Sequence, residues 1–269
     1  MVTTTYDIME LIERTAPLAL QETYDNAGLQ VGNPNKEVGS VMVCLDVTEE
    51  VIEEAYRKGC DLIVSHHPLI FQPLRHLTGS SHEERCAMLA LKLGIGIYAA
   101  HTNLDNADNG VNHKIADMIG LTQLEWLNER PFTAGCACGE GLVGMLEKAE
   151  DEEMFLQRMK QTFDVECLMH NRLHGRPVRR VALCGGSGAF LLPRAIEKDA
   201  DVFITGELSY HHYFGHDNDL LLIALGHYQS EQFTKNIFRD LLSERFPDLR
   251  IEMTEINTNP INYYYGKES

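Results

Sequence analysis

Two histidines stand side by side in "VSHHPLIF" (64–71), directly after an apolar run and just before a proline. Three further polar clusters share that setting: His101-x-x-x-Asp105, Glu207 with His211-His212, and His227-x-x-x-Glu231. The His101 and His227 clusters have one form, an apolar stretch, a histidine, then a carboxylate four residues on. If the chain turns helical there, residues i and i+4 lie on one face and reach one point. Imidazole and carboxylate are ligands for zinc, iron, manganese, cobalt or nickel. Neighbouring residues of a strand point to opposite sides. His66 and His67 therefore suit two ions better than one, with a carboxylate bridging between them. Two metals about 3.5–4 Å apart activate a bridging water and hold an oxyanion opposite it. A lone histidine at a strand end is more often a hydrogen-bonded structural residue. It is the recurrence at corresponding strand ends that points to metal.

Other candidates are weaker. "GGSG" (185–188) follows an apolar run and could cradle a phosphate at a helix start, but it lacks a full dinucleotide fingerprint and reads better as a turn. Cys136-x-Cys138 lacks metal-ligand spacing and a partner pair. "HGRPVRR" (174–180) is the one compact basic run and reads as a solvated lead-in to a strand.

The elements that must position the clusters alternate. Strands are expected at 40–46, 61–67 and 95–101, with helices at 49–59 and 82–94. The rhythm returns with strands at 180–186, 201–207 and 219–227 and a helix at 188–200. This is the pattern of an α/β protein with a mainly parallel sheet, whose ligands bind at the carboxyl ends of the strands. The two halves also match at a fixed offset of 140: Val41 and Val181, Cys44 and Cys184, Ala55 and Ala195, Lys58 and Lys198, Asp61 and Asp201. The expectation is a duplicated β-α-β unit in two related α/β lobes, 1–125 and 126–269, with a cleft between them. Between the halves, 141–170 reads strand, helix, strand. The C-terminal strand returns, on this reading, to the first lobe, followed by a turn-rich tail.

The chain has 269 residues, enough for a sizeable core. A net charge of −17 repels phosphate backbones and argues against nucleic-acid binding. No apolar run reaches eighteen residues, and the N-terminus lacks a signal-peptide pattern. Seven scattered cysteines, an odd number, favour reduced thiols and a cytoplasmic location.

In order along the chain, "YDNAGLQVG", "SHHPLIF", "AAHTNLDNADNGVN", "LCGGSG", "ITGELSYHHY", "GHYQSE" and "NTNPINYY" resemble the motifs of the NIF-three-like dinuclear metal-centre family, whose members often carry the label GTP cyclohydrolase 1 type 2. The resemblance implies two divalent metal ions per chain (zinc, iron, manganese or cobalt), held by His66, His67, Asp105, His227 and Glu231, with Glu231 as the bridge. It puts His101 beside the metals, where it supports a ligand or shuttles a proton. Glu207 and His211 fall near the cleft, Glu207 as a proton carrier and His211 as a substrate contact. Asn26 falls in the segment that shapes the cleft entrance and is expected to contact substrate. It further implies a toroidal homohexamer acting as a hydrolase on a small molecule; the lack of a long apolar run and the net charge of −17 speak against membrane and nucleic-acid partners. The alternative is a non-catalytic metal-binding scaffold or regulatory partner protein. Many relatives carry a large domain between the lobes, and the short 125–178 stretch leaves no room for one. "YDN" stands where Trp-Asp-Asn is more frequent.

Overall fold

A computed structural model describes residues 2–216 and 220–264. The first half runs α1 (Thr5–Thr15), β1 (Gly28–Val31), β2 (Ser40–Cys44), α2 (Glu49–Arg57), β3 (Leu62–Ser65), α3 (His82–Leu93), β4 (Gly96–Ala99), α4 (Thr102–Asp105) and α5 (Val111–Ile119). A long hairpin follows, β5 (Thr122–Thr133) and β6 (Cys136–Glu150), then α6 (Glu152–Thr162) and the short β7 (Met169–His170). The second half adds β8 (Val178–Cys184), α7 (Leu192–Glu197), β9 (Val202–Thr205), β10 (Leu221–Ala224), α8 (His227–Glu231), α9 (Thr234–Arg245) and β11 (Arg250–Met253).

The strands form two sheets, ordered β1-β4-β3-β2-β11 and β5-β6-β8-β9-β10-β7. β2, β3 and β4 are parallel, as are β8, β9 and β10. The last strand, β11, lies parallel beside β2, in the sheet that also holds β1.

Continuous apolar runs make these strands because both faces of each sheet are covered. Val41, Val43, Leu62 and Val64 face inward, as do Val181, Leu183, Val202 and Ile204. All eight share one core with Ile8 and Ile12 of α1, Ile115 of α5, Phe155 of α6 and Phe238 of α9. The alternate residues face outward: Met42, Ile63 and Ile97 pack with α2 and α3, and Ala182, Phe203 and Leu222 with α7. The layers therefore run helix, sheet, helix, sheet, helix, and the inner helical layer joins the halves.

The duplication holds at the level of register. Val41 pairs Leu62 and Val181 pairs Val202, each 140 residues apart in the chain. Asp61 Oδ2 accepts from the amides of Gly39 and Ser40, and Asp201 Oδ2 accepts from those of Arg179 and Arg180. One side chain ties down the entry of the neighbouring strand in both copies.

The hairpin is the main element missing from the sequence-based expectation, which begins this region at 141. β5 is exposed at half of its positions, buried at one alone, and shows no clean alternation. Its turn puts Ala134 at φ 52 and Gly135 at φ 82, the two left-handed residues of a tight hairpin loop. Alanine is strained there and asparagine is not. Ala134→Asn is expected to stabilise the protein by about 0.5–1 kcal/mol, read as a higher urea midpoint at unchanged slope. No large domain interrupts the fold.

Candidate metal centre

The carboxyl ends of β3, β4 and β10 deliver the chemistry. β3 ends at Ser65, so His66 and His67 leave the sheet together. β4 ends at Ala99, and the chain turns at once into α4, which carries Asp105. β10 ends at Ala224, and α8 brings His227 and Glu231 one turn apart. Sequentially remote histidines thereby form a packed ring cluster. His66 lies 5.0 Å from His67 and 5.3 Å from His101, and His67 lies 5.2 Å from His227, centroid to centroid.

Each histidine is anchored through Nδ1 on an oxygen. His66 Nδ1 donates to the Ala100 carbonyl at 2.9 Å. His67 Nδ1 meets Asp46 Oδ1 at 2.7 Å, His101 Nδ1 meets Asp25 Oδ1 at 2.8 Å, and His227 Nδ1 meets Glu207 Oε1 at 3.0 Å. An outer acceptor on one ring nitrogen fixes the tautomer and frees the other nitrogen to ligate a metal.

The freed nitrogens converge on Glu231, which is 3% exposed. Its Oε2 lies 3.0 Å from both His67 Nε2 and His227 Nε2. Its Oε1 lies 3.9 Å from His66 Nε2, which in turn lies 3.6 Å from Asp105 Oδ1. The carboxylate thus presents one oxygen to each of two donor sets, His67–His227–Glu231 and His66–Asp105–Glu231. A third set, His66–His67–His101, brings in His101.

The second donor set tests the fit of a metal. His66 Nε2 is a bare acceptor, because the Ala100 carbonyl holds the proton on Nδ1. It faces two carboxylate oxygens, and both His66 Nε2 and Asp105 Oδ1 are buried without a hydrogen-bond partner. Buried acceptors aimed at one another are costly unless something positive lies between them. A cation coordinated by nitrogen and carboxylate oxygen meets that need. Ligands about 2.0–2.2 Å from one ion stand roughly 3.0–3.5 Å apart, close to the spacing seen.

Without an ion, protons must take its place. Burial opposes charge on His67, but its hydrogen bonds to Asp46 and Glu231 outweigh that and push it up to about 10. The same balance puts His227 at about 9. Burial pulls His66 down to about 4. Burial and the Glu231 charge push Asp105 well up, whereas for Glu231 the hydrogen bonds from His227 and His67 overcome burial and hold it well down.

A pH dependence follows. His67 and His227 sit above the ordinary 6.5, so their stabilisation is complete below about pH 6.5 and is lost as pH rises through 9 and 10. Glu231 works in the opposite sense, losing its contribution as pH falls below its ordinary 4.5. Chelated protein is therefore expected to lose several degrees of Tm between pH 6.5 and 10. Metal-loaded protein is expected to lose less, because ions bind neutral imidazole. A chelated protein with a flat Tm over that range contradicts the assignment.

The remaining expected residues divide. Glu207 accepts from Ser187 Oγ at 2.7 Å and holds His227 Nδ1, so it positions a candidate ligand. By the offset of 140 it is also the counterpart of His67. Asn26 donates to the Ile70 carbonyl at 2.6 Å and is exposed. It ties down the loop after His66-His67 and does not line the cleft. His211 stacks at the surface between Tyr210 and Phe214, likewise away from the cleft lining.

Residues passed over in the sequence include Asp46, Asp25 and Gly186. Asp46 follows β2 in "VMVCLD", a carboxylate at the carboxyl end of a buried strand, and that position was the available signal. Its second oxygen accepts from Thr258 Oγ1 at 2.6 Å, linking the C-terminal tail to the centre. Asp46→Asn is expected to weaken metal retention 10–100-fold with the fold intact, measured by competition with a chromogenic chelator. Retention equal to the parent's is the contrary result.

Beside the centre lies a cavity of about 510 Å³, walled by Tyr24, Phe71, His101 and Glu22 from the first half and Phe190 and Glu140 from the second.

A mixed α/β chain with paired sheets and a histidine–carboxylate centre at their strand ends is the class defined so far. The family model for Duf34/NIF3 (NGG1p interacting factor 3) matches residues 3–260, and the chain belongs to this family. It is 36% identical to the GTP cyclohydrolase 1 type 2 homolog of Lactococcus lactis over 262 residues, 94% of this chain and 97% of the relative. It is 34% identical to that of Streptococcus pneumoniae over 266 residues, 96% and 98% of the two chains. Among solved structures, a Bacillus cereus protein related to NIF3 shares the fold at a TM-score of 0.88 and 24% identity, over 98% of this chain and all of that one. Staphylococcus aureus protein SA1388 matches at 0.87 and 25% identity, over 97% and 99%.

Proposed function

We propose that this protein is a hydrolase dependent on two divalent metal ions, acting on a small molecule bound in the cleft beside them. The observation that carries this reading is Glu231, with one buried oxygen toward each of two donor sets. His66, His67, Asp105, His227 and Glu231 are the proposed ligands. Bound there, the ion pair supplies Lewis acidity and a water acidified to near neutral pH.

The chain's own residues do the rest. Asp46, Asp25 and Glu207 hold three imidazoles in orientation. Tyr24 and Phe71, 6.3 Å apart, stand together in the wall of the cleft. His101 both lines the cleft and stands within ligand reach of His66 and His67. Its Nε2 holds an ion or carries a proton, and the pH–rate profile of His101→Gln separates the two. The name of the bacterial relatives, GTP cyclohydrolase 1 type 2 homolog, suggests GTP as substrate, with opening of the purine imidazole ring and release of formate.

We further propose a ring-shaped homohexamer in the cytoplasm. Exposed Phe132, Tyr210 and Phe214 supply apolar surface for assembly, and the cysteines stand as free thiols. Among the described residues, no helix is long and apolar enough to cross a membrane.

The test of the hydrolase reading is a panel of nucleotides, phosphodiesters and amides. Turnover is expected that disappears on chelation and returns with zinc, manganese or iron(II). A fully metal-loaded protein that turns over nothing favours the non-catalytic scaffold.

A further inference from the structure

The cleft has a charge and a shape that constrain what can enter it. Four carboxylates line it, Glu22, Asp105, Glu140 and Glu231, and among the described residues no lysine or arginine does. Glu22 and Glu140 share one cation, Arg130, and Asn106 also donates to Glu22. That wall keeps a net negative charge.

A metal pair does not reverse the sign. Five carboxylates stand in or directly behind the centre: Asp25, Asp46 and Glu207 on the outer ring nitrogens, and Asp105 and Glu231 inside. Two divalent ions bring four positive charges, one fewer. The field reaches the cleft mouth, where burial and the charges of Glu22, Asp25, Asp105 and Glu140 together push the Tyr24 hydroxyl up.

The one phosphate-cradle candidate is already spent. In "GGSG" the Gly185 amide donates to Asn112 Oδ1 at 3.0 Å, that of Gly186 to Ser230 Oγ at 3.0 Å, and that of Gly188 to Thr205 Oγ1 at 2.9 Å. A loop that cradles phosphate must leave such amides free. This one uses them to hold its own turn.

What the cleft does offer is aromatic surface. Tyr24 is 63% exposed and Phe190 61%, and they face the cavity from opposite halves of the chain. Phe71 joins Tyr24 and sets its ring against His101 at 6.2 Å. Exposed rings beside carboxylates bind flat apolar molecules, and cations better still.

We propose that the cleft takes a flat heteroaromatic molecule that is uncharged or cationic, and discriminates against its phosphorylated forms. This deepens the hydrolase reading and rests on it in treating the cleft beside the centre as the substrate site. It makes a free nucleoside-like ring a better match than a nucleoside triphosphate.

The test is calorimetric titration of the full-length protein, metal-free and zinc-loaded, with guanosine, GMP, GTP and the flat cation proflavine. Guanosine or proflavine is expected to bind saturably, with GTP at least tenfold weaker. Tyr24→Ala and Phe190→Ala, both at exposed positions, are expected to weaken the ring ligands at least tenfold. Glu22→Gln is expected to narrow the gap between guanosine and GTP. GTP binding as tightly as guanosine overturns the proposal. So does a failure of both guanosine and proflavine to bind, or binding that neither aromatic variant alters. Failure to take up zinc, manganese or iron(II) sinks the hydrolase reading alone, because the metal-free titrations still report the charge preference.

Discussion

Glu231→Gln is expected to reduce bound metal from about two ions per chain to less than one, the two-ion stoichiometry being that of a bridged pair. The variant keeps the volume and one oxygen of the side chain, so the packing around α8 survives. It removes the negative charge that both donor sets share. Loss of an outer partner of a ligand costs 10–100-fold in affinity. Loss of the shared carboxylate acts on both ions at once and is expected to exceed that range. Elemental mass spectrometry on protein purified without chelator or histidine tag reads the result. The competing account makes Glu231 only the counter-ion of His67 and His227. On that account the parent also lacks stoichiometric metal, and added zinc, manganese or iron(II) does not restore it. Stability offers a second readout. Breaking a buried ion pair from one side costs about 3–5 kcal/mol, so chelated Glu231→Gln is expected to melt well below chelated parent.

Much of this site was legible because its parts obey local rules. A buried parallel strand reads as an unbroken apolar run, and the polar residue that ends it marks the ligand-binding edge. His66-His67, His101 and His227 all stand at such ends. The offset of 140 was legible because α2, β2 and β3 recur with no insertion, so register and even the Asp61 and Asp201 bonds repeat. Other features had no local signature. The pairing of Asp46 with His67 depends on β2 and β3 being neighbours, which the chain order alone leaves open. β5 is exposed on an antiparallel edge and shows no clean period of two. Asn26 and His211 show what a motif leaves open. Each lies in a motif that runs close to the centre, yet one side chain holds a backbone carbonyl and the other lies on the surface. Matching a motif places a segment near a site without fixing which of its side chains faces in.

Gly186→Ala is expected to disable the metal centre without touching a ligand. Gly186 has φ +58, a left-handed conformation that costs an alanine about 1–2 kcal/mol. The larger effect is steric. A Cβ at this position overlaps Glu231 Oε1, stands 3.2 Å from its carboxyl carbon, and lies 3.4 Å from His227 Cε1. The backbone has little freedom to yield, because the Gly186 amide is bonded to Ser230 and its carbonyl accepts from Thr205 Oγ1 and the amides of Gly206 and Glu207. Glu231 must therefore swing away, taking Oε1 from the His66–Asp105 side. Metal content is expected to fall by about one ion per chain, with a Tm loss of several degrees. A variant that merely unfolds would lose both ions and its cooperative melting transition, so the two causes separate. The decisive case is the double variant Gly186→Ala/Glu231→Asp. The shorter carboxylate withdraws from the added methyl, so the pair is expected to retain more metal than the product of the single effects allows, the non-additivity that marks direct contact. Strict additivity breaks the assignment of Gly186 as the residue that leaves room for the bridge.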